Sequence, residues 1–222
     1  MSNLLSSKTI PPSALPEELP IFPLTGAVLL PQARLPLNVF EPRYLAMIED
    51  AMGKGRMIGM IQPSNADDEG TPPLYSVGCM GRITSFNETE DGRMLIVLSG
   101  QCRFRVAEEM QVGRLYRSVK PDWKPYLSDL SEMEAPDIDR ARLIDLLQIY
   151  FKQNAISVDW NVVQSAPNDV LVPTIIMICP LAPNEKQALL EAEDFTARAR
   201  MLAMLLEMAV MPQTEREADL KH

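Results

Sequence analysis

Side chains that commonly carry out catalysis are scarce or poorly placed in this sequence. Its one histidine, His222, is the last of 222 residues, and chain ends are often frayed. A Ser-His-Asp or Cys-His unit and a histidine-ligated metal site therefore lack their central residue. A serine-lysine dyad needs no histidine, but no serine sits in a glycine-rich elbow or near a lysine on a convincing apolar run. The sequence thus predicts no catalytic residue.

Binding motifs for nucleotides and hard cations are also missing. The Gly53-Lys54 pair runs into Gly55 without the Ser or Thr that a Walker-type phosphate loop requires. No G-x-G-x-x-G pattern follows a strand-like run, which argues against a dinucleotide site. The acidic residues of segment 65–70 (NADDEG) are adjacent in sequence, whereas calcium ligands alternate around a glycine turn. The sequence therefore predicts no cofactor and no metal.

Three cysteines, Cys79, Cys102 and Cys179, lie far apart in apolar surroundings. None belongs to a CxxC pair, so neither a disulfide framework nor a four-thiolate zinc site is indicated. We expect them to be small buried hydrophobic residues in a protein of the reducing cytosol.

The overall charge limits the classes of partner. The chain has 21 Lys and Arg against 30 Asp and Glu, a net charge of −9. Nucleic acids and anionic membranes bind through a surplus of basic residues, so neither is an expected partner. The N-terminal residues lack the continuous apolar region of a signal peptide. The longest strongly apolar run, 171–182, has 12 residues, well short of the ~20 that span a bilayer. We expect a soluble cytoplasmic protein.

The elements that must position functional side chains change type along the chain. Residues 1–18 contain three prolines among small polar residues and predict a flexible lead. Residues 19–125 predict a β domain, because short runs of Val, Ile, Leu and aromatic residues alternate with turn residues. The predicted strands cover 19–24, 27–31, 35–40, 57–62, 75–86, 93–110 and 115–123.

Two local signals interrupt these strands. Asp91-Gly92, between two apolar runs, predicts a tight hairpin that uses positive φ angles. Pro42 suits the first turn of a helix, and the helical spacing that follows it ends at Gly53.

After a polar, acidic linker at 126–137, the hydrophobic period becomes helical. Residues 138–211 predict a helical bundle, and 212–222 predict a flexible tail. The two main apolar stripes consist of Leu143, Leu146, Leu147, Tyr150 and Phe151, and of Phe195, Leu202, Leu205, Leu206 and Ala209. Shorter helices are predicted at 158–166, 170–179 and 185–192. This half has 8 basic and 16 acidic residues, so it carries nearly all of the net negative charge.

Methionine is abundant, with 14 residues. Pairs such as Met201 and Met204, or Met208 and Met211, follow helical spacing. Such spacing favours a core position, since apolar residues are usually buried. Any methionine that is exposed would form the adaptable part of a binding surface.

One segment carries a family resemblance. Residues 19–52 begin with LPIFPL and contain PLNVFEPRY at 36–44. Further matching blocks follow at 77–106 and 185–192 in the same order. Over residues 19–211 the chain resembles the Lon protease N-terminal (substrate-binding) domain family, in its free-standing bacterial form. The resemblance implies an α+β fold, a PUA-like β pseudo-barrel with one inserted helix followed by a C-terminal α-helical bundle.

The resemblance also implies a function. We expect a non-catalytic module that binds unfolded or degron-bearing proteins and peptides, acting as an adaptor or regulator in protein quality control. A protease or chaperone and a second copy of the chain are further expected partners. The sequence contains neither the AAA+ module nor the Ser-Lys peptidase domain of complete Lon proteases, so neither activity is expected. Two alternatives stay open: a hydrolase or peptidase with an unrecognised site, and an RNA-binding PUA-like protein.

The candidate peptide-binding residues come from the matching motifs and from arginines on neighbouring strands. They are Phe40, Glu41, Arg43, Tyr44, Arg82 and Arg103. One interpretation is that they only define the fold, with the arginines on the solvated face of a sheet. The sharper hypothesis is that they line a cleft between barrel and bundle, where sheet edges offer main-chain hydrogen bonds to an extended peptide.

Overall fold

The computed structural model describes residues 10–64, 71–110, 113–131 and 138–211. The chain divides into two compact units, residues 1–132 and 133–222, and each is described by itself below. The first unit is built mainly from strands and the second from helices. The predicted mixture of a β domain and helices is confirmed.

The first unit contains β1 (Leu19–Pro23), β2 (Arg34–Val39), α1 (Pro42–Gly53), β3 (Met57–Ile61), β4 (Val77–Glu88), β5 (Met94–Met110) and β6 (Ser118–Asp122). Short 3-10 helices lie at Pro12–Ala14 and Lys124–Leu130. Helix α1 has Pro42 in its first turn and ends at Gly53, as predicted. Gly92 adopts a φ of 76° in the turn between β4 and β5, which confirms the predicted hairpin.

The strands pair in the order β2-β5-β4-β3-β1-β6, with a further pairing between β5 and β6. Only β1 and β3 run parallel among these pairs. Strand β5 has 17 residues, and this length lets it pair with β2 along its first part and with β6 along its last part. The pairings of β5, β4, β3, β1 and β6 therefore close into a cycle, and β2 lies outside that cycle.

The predicted strand at 27–31 is wrong. These residues form no strand, although Val28, Leu29 and Leu30 are almost completely buried. The segment packs across the sheet as a loop, and the Gln32 amide after it donates to the Gly100 carbonyl at 2.9 Å. An apolar run of this length has the same pattern whether it pairs in a sheet or is buried as a loop.

The first unit also extends further along the chain than predicted. Ile10 and Leu130 both belong to the cluster of buried residues at the centre of the unit. The Trp123 indole donates to the Pro16 carbonyl at 3.1 Å. Residues 10–18, the described part of the predicted flexible lead, are therefore packed against the sheet; residues 1–9 lie outside the described ones. The predicted linker is corrected as well, because its first part belongs to the 3-10 helix at Lys124–Leu130.

The second unit contains α2 (Arg140–Gln153), α3 (Trp160–Ser165), α4 (Asn168–Ile178), α5 (Pro183–Glu191) and α6 (Phe195–Val210). Asp139, Asp159 and Asp194 cap α2, α3 and α6, since each side chain accepts a hydrogen bond from a backbone amide of the first turn. The α2 stripe is buried as predicted, and so are Phe195, Leu202 and Leu206 of α6. The helical period therefore identified the faces that form this core.

All three cysteines are buried, and none forms a disulfide. Burial raises the pKa of the Cys102 and Cys179 thiols to about 12. Thiols of this kind stay protonated and are poor nucleophiles. The prediction that the cysteines are small buried hydrophobic residues is confirmed.

Candidate functional site

Strand β2 has one free edge. Its inner edge pairs with β5, from Arg34 opposite Ser99 to Val39 opposite Met94. Within the described ranges, no backbone hydrogen bond from outside this ladder reaches residues 34–39. Pro36 lies in the middle of the strand, and prolines in sheets are confined to outer strands and strand starts because they donate no ladder bond. The outer edge therefore presents backbone groups to which an extended chain can add.

One face of β2 is apolar and incompletely covered. Residues opposite each other in a ladder share a face, so Leu35 and Leu37 share the face of the buried Leu98 and Ile96 on β5. Both β2 leucines are only half-buried. Phe86 of β4, opposite Ile96, is also exposed. A strand added beside β2 would bury alternate side chains against this apolar face.

An exposed aromatic ring lies at the end of the free edge. Phe40 follows β2 directly and is 61% exposed. The guanidinium of Arg93 lies 5.7 Å from the centre of the Phe40 ring. Asp91 fixes Arg93 through an ion pair of 2.8 Å. The hairpin between β4 and β5 thus places the Arg93 guanidinium beside the Phe40 ring, next to the free edge of β2.

The next three candidate residues form a chain of contacts at the start of α1. Arg43 donates from Nε to Glu41 at 3.0 Å, and its guanidinium lies 4.5 Å from the centre of the Tyr44 ring. Tyr44 is buried and packs on Phe22, with 4.1 Å between ring centres. Burial raises the pKa of the Tyr44 phenol. Tyr44 therefore anchors α1 to the sheet, while Glu41 and Arg43 stay near solvent beside Phe40.

Arg82 lies away from this group. It is exposed on β4 and pairs with Ser99, which is also opposite Arg34. Arg34 is six residues from Phe40, or about 20 Å along an extended strand. The structure therefore brings Phe40, Glu41, Arg43 and Tyr44 together and places Arg82 level with the other end of β2, on β4, with β5 between the two strands.

Arg103 is buried, with only 2% of its surface exposed. Its guanidinium donates to both oxygens of Asp129, at 2.9 Å from Nε and 2.8 Å from Nη2. The guanidinium also lies 4.6 Å from the centre of the Tyr126 ring. Arg103 thus attaches the 3-10 helix at Lys124–Leu130 to the sheet. This geometry corrects the expectation that Arg103 is available to a peptide.

The site residues predicted from the sequence do not include the free edge of β2. The predicted site residues in the 36–44 motif begin at Phe40, directly after β2 ends, and include neither Pro36 nor Asn38 of the strand. The available signal was Pro36, because a proline inside a strand-like run indicates an outer strand. The hypothesis of a cleft between the two parts of the chain stays a prediction.

A second group of polar residues lines a groove of about 130 Å³ in the first unit. The Tyr116 hydroxyl donates to Asp50 at 2.5 Å, and Arg114 donates to Glu18 at 2.9 Å. Burial and the hydrogen bond to Asp50 raise the pKa of Tyr116 to about 12. Tyr116 therefore stays protonated near neutral pH, and the group holds chain segments together without an activated nucleophile.

Other kinds of site are missing from the part of the chain that the structure describes. It contains no cluster of three or more His, Cys, Asp or Glu residues that could hold a metal ion. No helix among the same residues is long and apolar enough to cross a membrane.

The family of the chain follows from its sequence. Residues 18–208 match the family described as "ATP-dependent protease La (LON) substrate-binding domain". The chain belongs to this family. The resemblance noted at residues 19–211 is thereby confirmed.

Curated relatives of this Lon substrate-binding domain include Lon proteases. The chain is 29% identical over 197 residues to Lon protease 2 of Myxococcus xanthus, which covers 86% of this chain and 24% of that protein. It is 28% identical over 215 residues to Lon protease 2 of Sorangium cellulosum, with 90% and 26% covered. The chain therefore spans about a quarter of the length of these curated relatives.

Solved structures agree with this assignment. A Lon N-terminal domain protein from Xanthomonas campestris is 26% identical, with a TM-score of 0.55 and coverage of 88% of this chain and 99% of that one. The N-terminal domain of a Mycobacterium avium complex Lon protease shares the fold, with a TM-score of 0.57 at 18% identity over 86% and 98% of the two chains.

Proposed function

We propose that this Lon substrate-binding domain binds extended segments of unfolded or degron-bearing proteins along the free edge of β2, without catalysing a reaction on them. It would act as an adaptor or regulator of proteolysis, with a protease or chaperone as its working partner. The observation that carries the proposal is the combination of an unpaired strand edge with an apolar face and an exposed aromatic ring at its end.

Main-chain recognition suits such partners. An added strand gains its hydrogen bonds from backbone groups, which every unfolded segment offers, while alternate side chains supply selectivity. On β2 those alternate side chains would meet Leu35 and Leu37, both half-buried. We therefore expect a preference for segments in which apolar residues recur at every second position.

Phe40 would supply the strongest side-chain contact. Aromatic residues in well-packed positions dominate most binding interfaces, and Phe40 is the most exposed aromatic side chain near the edge. Arg93 and Arg43 flank it, each already balanced by an acidic neighbour. The site is therefore apolar at its centre and close to neutral at its rim.

The type of fold and the cellular location of the protein are further parts of the proposal. We assign the cycle of β5, β4, β3, β1 and β6 to a PUA-like pseudo-barrel and the five helices to a bundle. A cytoplasmic setting is supported by three buried cysteines that form no disulfide, since disulfides are rare in reducing compartments.

Replacing Phe40 with alanine is expected to weaken the binding of unfolded casein about 10-fold, a loss of ~1.4 kcal/mol. Fluorescence anisotropy of labelled casein gives the dissociation constant. Leu115→Ala is the matched control, because Leu115 is 73% exposed in the same unit but lies outside β2. Equal binding by the wild type and the Phe40→Ala variant would contradict the proposed site.

Incubation of the purified protein with casein, with and without ATP, separates binding from hydrolysis. We expect casein to remain intact on a gel under both conditions. Cleavage by the protein alone would support the alternative of an unrecognised peptidase site.

A further inference from the structure

Helix α6 and Met211, the residue that caps its C-terminal end, carry an exposed row of methionines. Met204, Met208 and Met211 are 55%, 62% and 42% exposed, and the partly exposed Met201 and Ala197 extend the same row. Successive members are four, three, four and three residues apart, which is the spacing of a coiled-coil seam. The opposite face of α6, with Leu202 and Leu206, is buried. The helix is therefore apolar on two sides, and only one of them is covered by its own unit.

We call the row formed by Ala197, Met201, Met204, Met208 and Met211 the seam. Two oppositely charged residues lie beside the seam on one flank. Arg200 and Glu207 each precede a seam methionine and are seven residues apart, so they share one heptad position. Arg200 is exposed. Arg142 of α2 donates from Nε to Glu207 at 2.8 Å, which fixes the carboxylate on this flank. A carboxylate has lone pairs to accept a second cation.

We propose that α6 pairs in antiparallel orientation with α6 of a second copy of this chain, about a twofold axis near Met204. In such a pair the same flank of both helices meets. Arg200 of each copy then lies beside Glu207 of the other copy. The two side chains are offset from directly opposite positions by about one residue along the helix. The methionine rows of the two copies fill the seam between these two charge pairs.

A second copy fits this surface better than an unrelated helix for reasons of charge. The positive and negative residues are placed symmetrically about Met204, so the surface is complementary to itself only in the antiparallel orientation. A parallel pair would bring this flank against the opposite flank of the other helix, so Arg200 and Glu207 of the two copies would not meet. Residues 126–222 have 8 basic and 16 acidic residues, so contact between two copies needs local charge complementarity to offset the general repulsion. The α6 pairing is independent of the β2 edge.

The expected dimer is weak. One helix face is smaller than the ~800 Å² per partner of a standard interface, so we expect a dissociation constant in the micromolar range. Sedimentation velocity over about 5 to 500 µM protein should show a monomer that converts to a dimer. Met204→Lys, at an exposed position, should leave only monomer over the same range.

Charge reversal tests the antiparallel register directly. Arg200→Glu places two acidic residues in each contact, and Glu207→Arg places two basic ones, so each variant alone should be monomeric. An equimolar mixture of the two variants restores opposite charges at both contacts and should dimerise like the wild type. Circular dichroism of each variant checks that the helices are intact.

Three results would overturn the dimer. They are a wild type that stays monomeric at the highest concentration, a Met204→Lys variant that still dimerises, and a mixture of the two charge variants that stays monomeric. If the wild type is monomeric and Met204→Lys loses casein binding, the seam receives polypeptide instead of a second copy.

Discussion

Replacing Gly100 with alanine is expected to destabilise the first unit by about 3 kcal/mol or more. A Cβ atom at this position would lie 1.9 Å from the Leu30 carbonyl oxygen and 2.8 Å from its carbon. Both are backbone atoms, so no side-chain rotation relieves the overlap. The buried segment that contains Leu29 and Leu30 would have to move away from β5.

That movement has a second cost. The Gly100 amide donates to the Ala33 carbonyl at 2.8 Å, and the Gly100 carbonyl accepts from Gln32 at 2.9 Å. Displacing the segment stretches both hydrogen bonds and uncovers two leucines, each worth ~2 kcal/mol of burial. The bonds, the burial and the overlap all act at one position, which is why we expect the effect to be large.

Urea unfolding followed by tryptophan fluorescence measures this change. The chain has two tryptophans, so a Trp160→Phe background leaves Trp123 to report on the first unit. Gly53→Ala is the matched control, because a Cβ there meets nothing within 4 Å. If the unfolding free energy of Gly100→Ala lies within about 1 kcal/mol of the wild-type value, segment 27–31 moves at little cost and the prediction is contradicted.

The Asp129→Asn variant should lose about 3 to 5 kcal/mol of stability. Asp129 accepts hydrogen bonds from the Arg103 guanidinium and from the Arg103 backbone amide, all at 2.8 to 2.9 Å. Burial disfavours the charged form of Arg103, and the carboxylate offsets this so that the pKa of Arg103 is raised. Without the carboxylate, a positive charge stays buried with only a neutral amide beside it.

Two controls separate the effect of burying the ion pair from the effect of the ion pair itself on stability. Glu41→Gln breaks an exposed ion pair with the same 2.8 Å separation, and exposed pairs contribute only about 0 to 1 kcal/mol. The double variant Arg103→Met with Asp129→Leu removes both charges and should be more stable than Asp129→Asn. If Asp129→Asn unfolds at the same urea concentration as Glu41→Gln, the buried pair is not what attaches the 3-10 helix to the sheet.

Local signals were sufficient for part of this fold. Pro42 and Gly53 delimit α1, and Gly92 supplies the positive φ of the hairpin, because each of these features depends on a few neighbouring residues. The motifs of segment 19–52 likewise indicate the family without any knowledge of tertiary contacts. The sequence alone was therefore sufficient to predict these elements and the family.

Features that depend on contacts between residues far apart in the sequence could not be predicted in this way. Arg103 and Arg105 occupy similar patterns on β5, yet Arg103 is buried because Asp129, 26 residues away, returns to meet it. In the same way, segment 27–31 has the composition of a strand and becomes a loop because it packs on Gly100. The α6 methionines follow helical spacing on a helix whose other face fills the core, so spacing alone could not place them at the surface.

The most direct test of the proposed binding edge compares two substitutions of Asn38. Pro36 is on the outer strand without an amide hydrogen, and Asn38, two residues on, has the same orientation. The Asn38 amide therefore points away from β5 and is available to an added strand. Asn38→Pro removes this donor and places a ring at the edge, whereas Asn38→Ala keeps the donor.

We predict that Asn38→Pro weakens binding of labelled casein about 10-fold or more, while Asn38→Ala stays within about 2-fold of the wild type. Urea midpoints of both variants check that the sheet is intact. Casein binding by Asn38→Pro at wild-type affinity, in a folded protein, would contradict recognition through the free edge of β2.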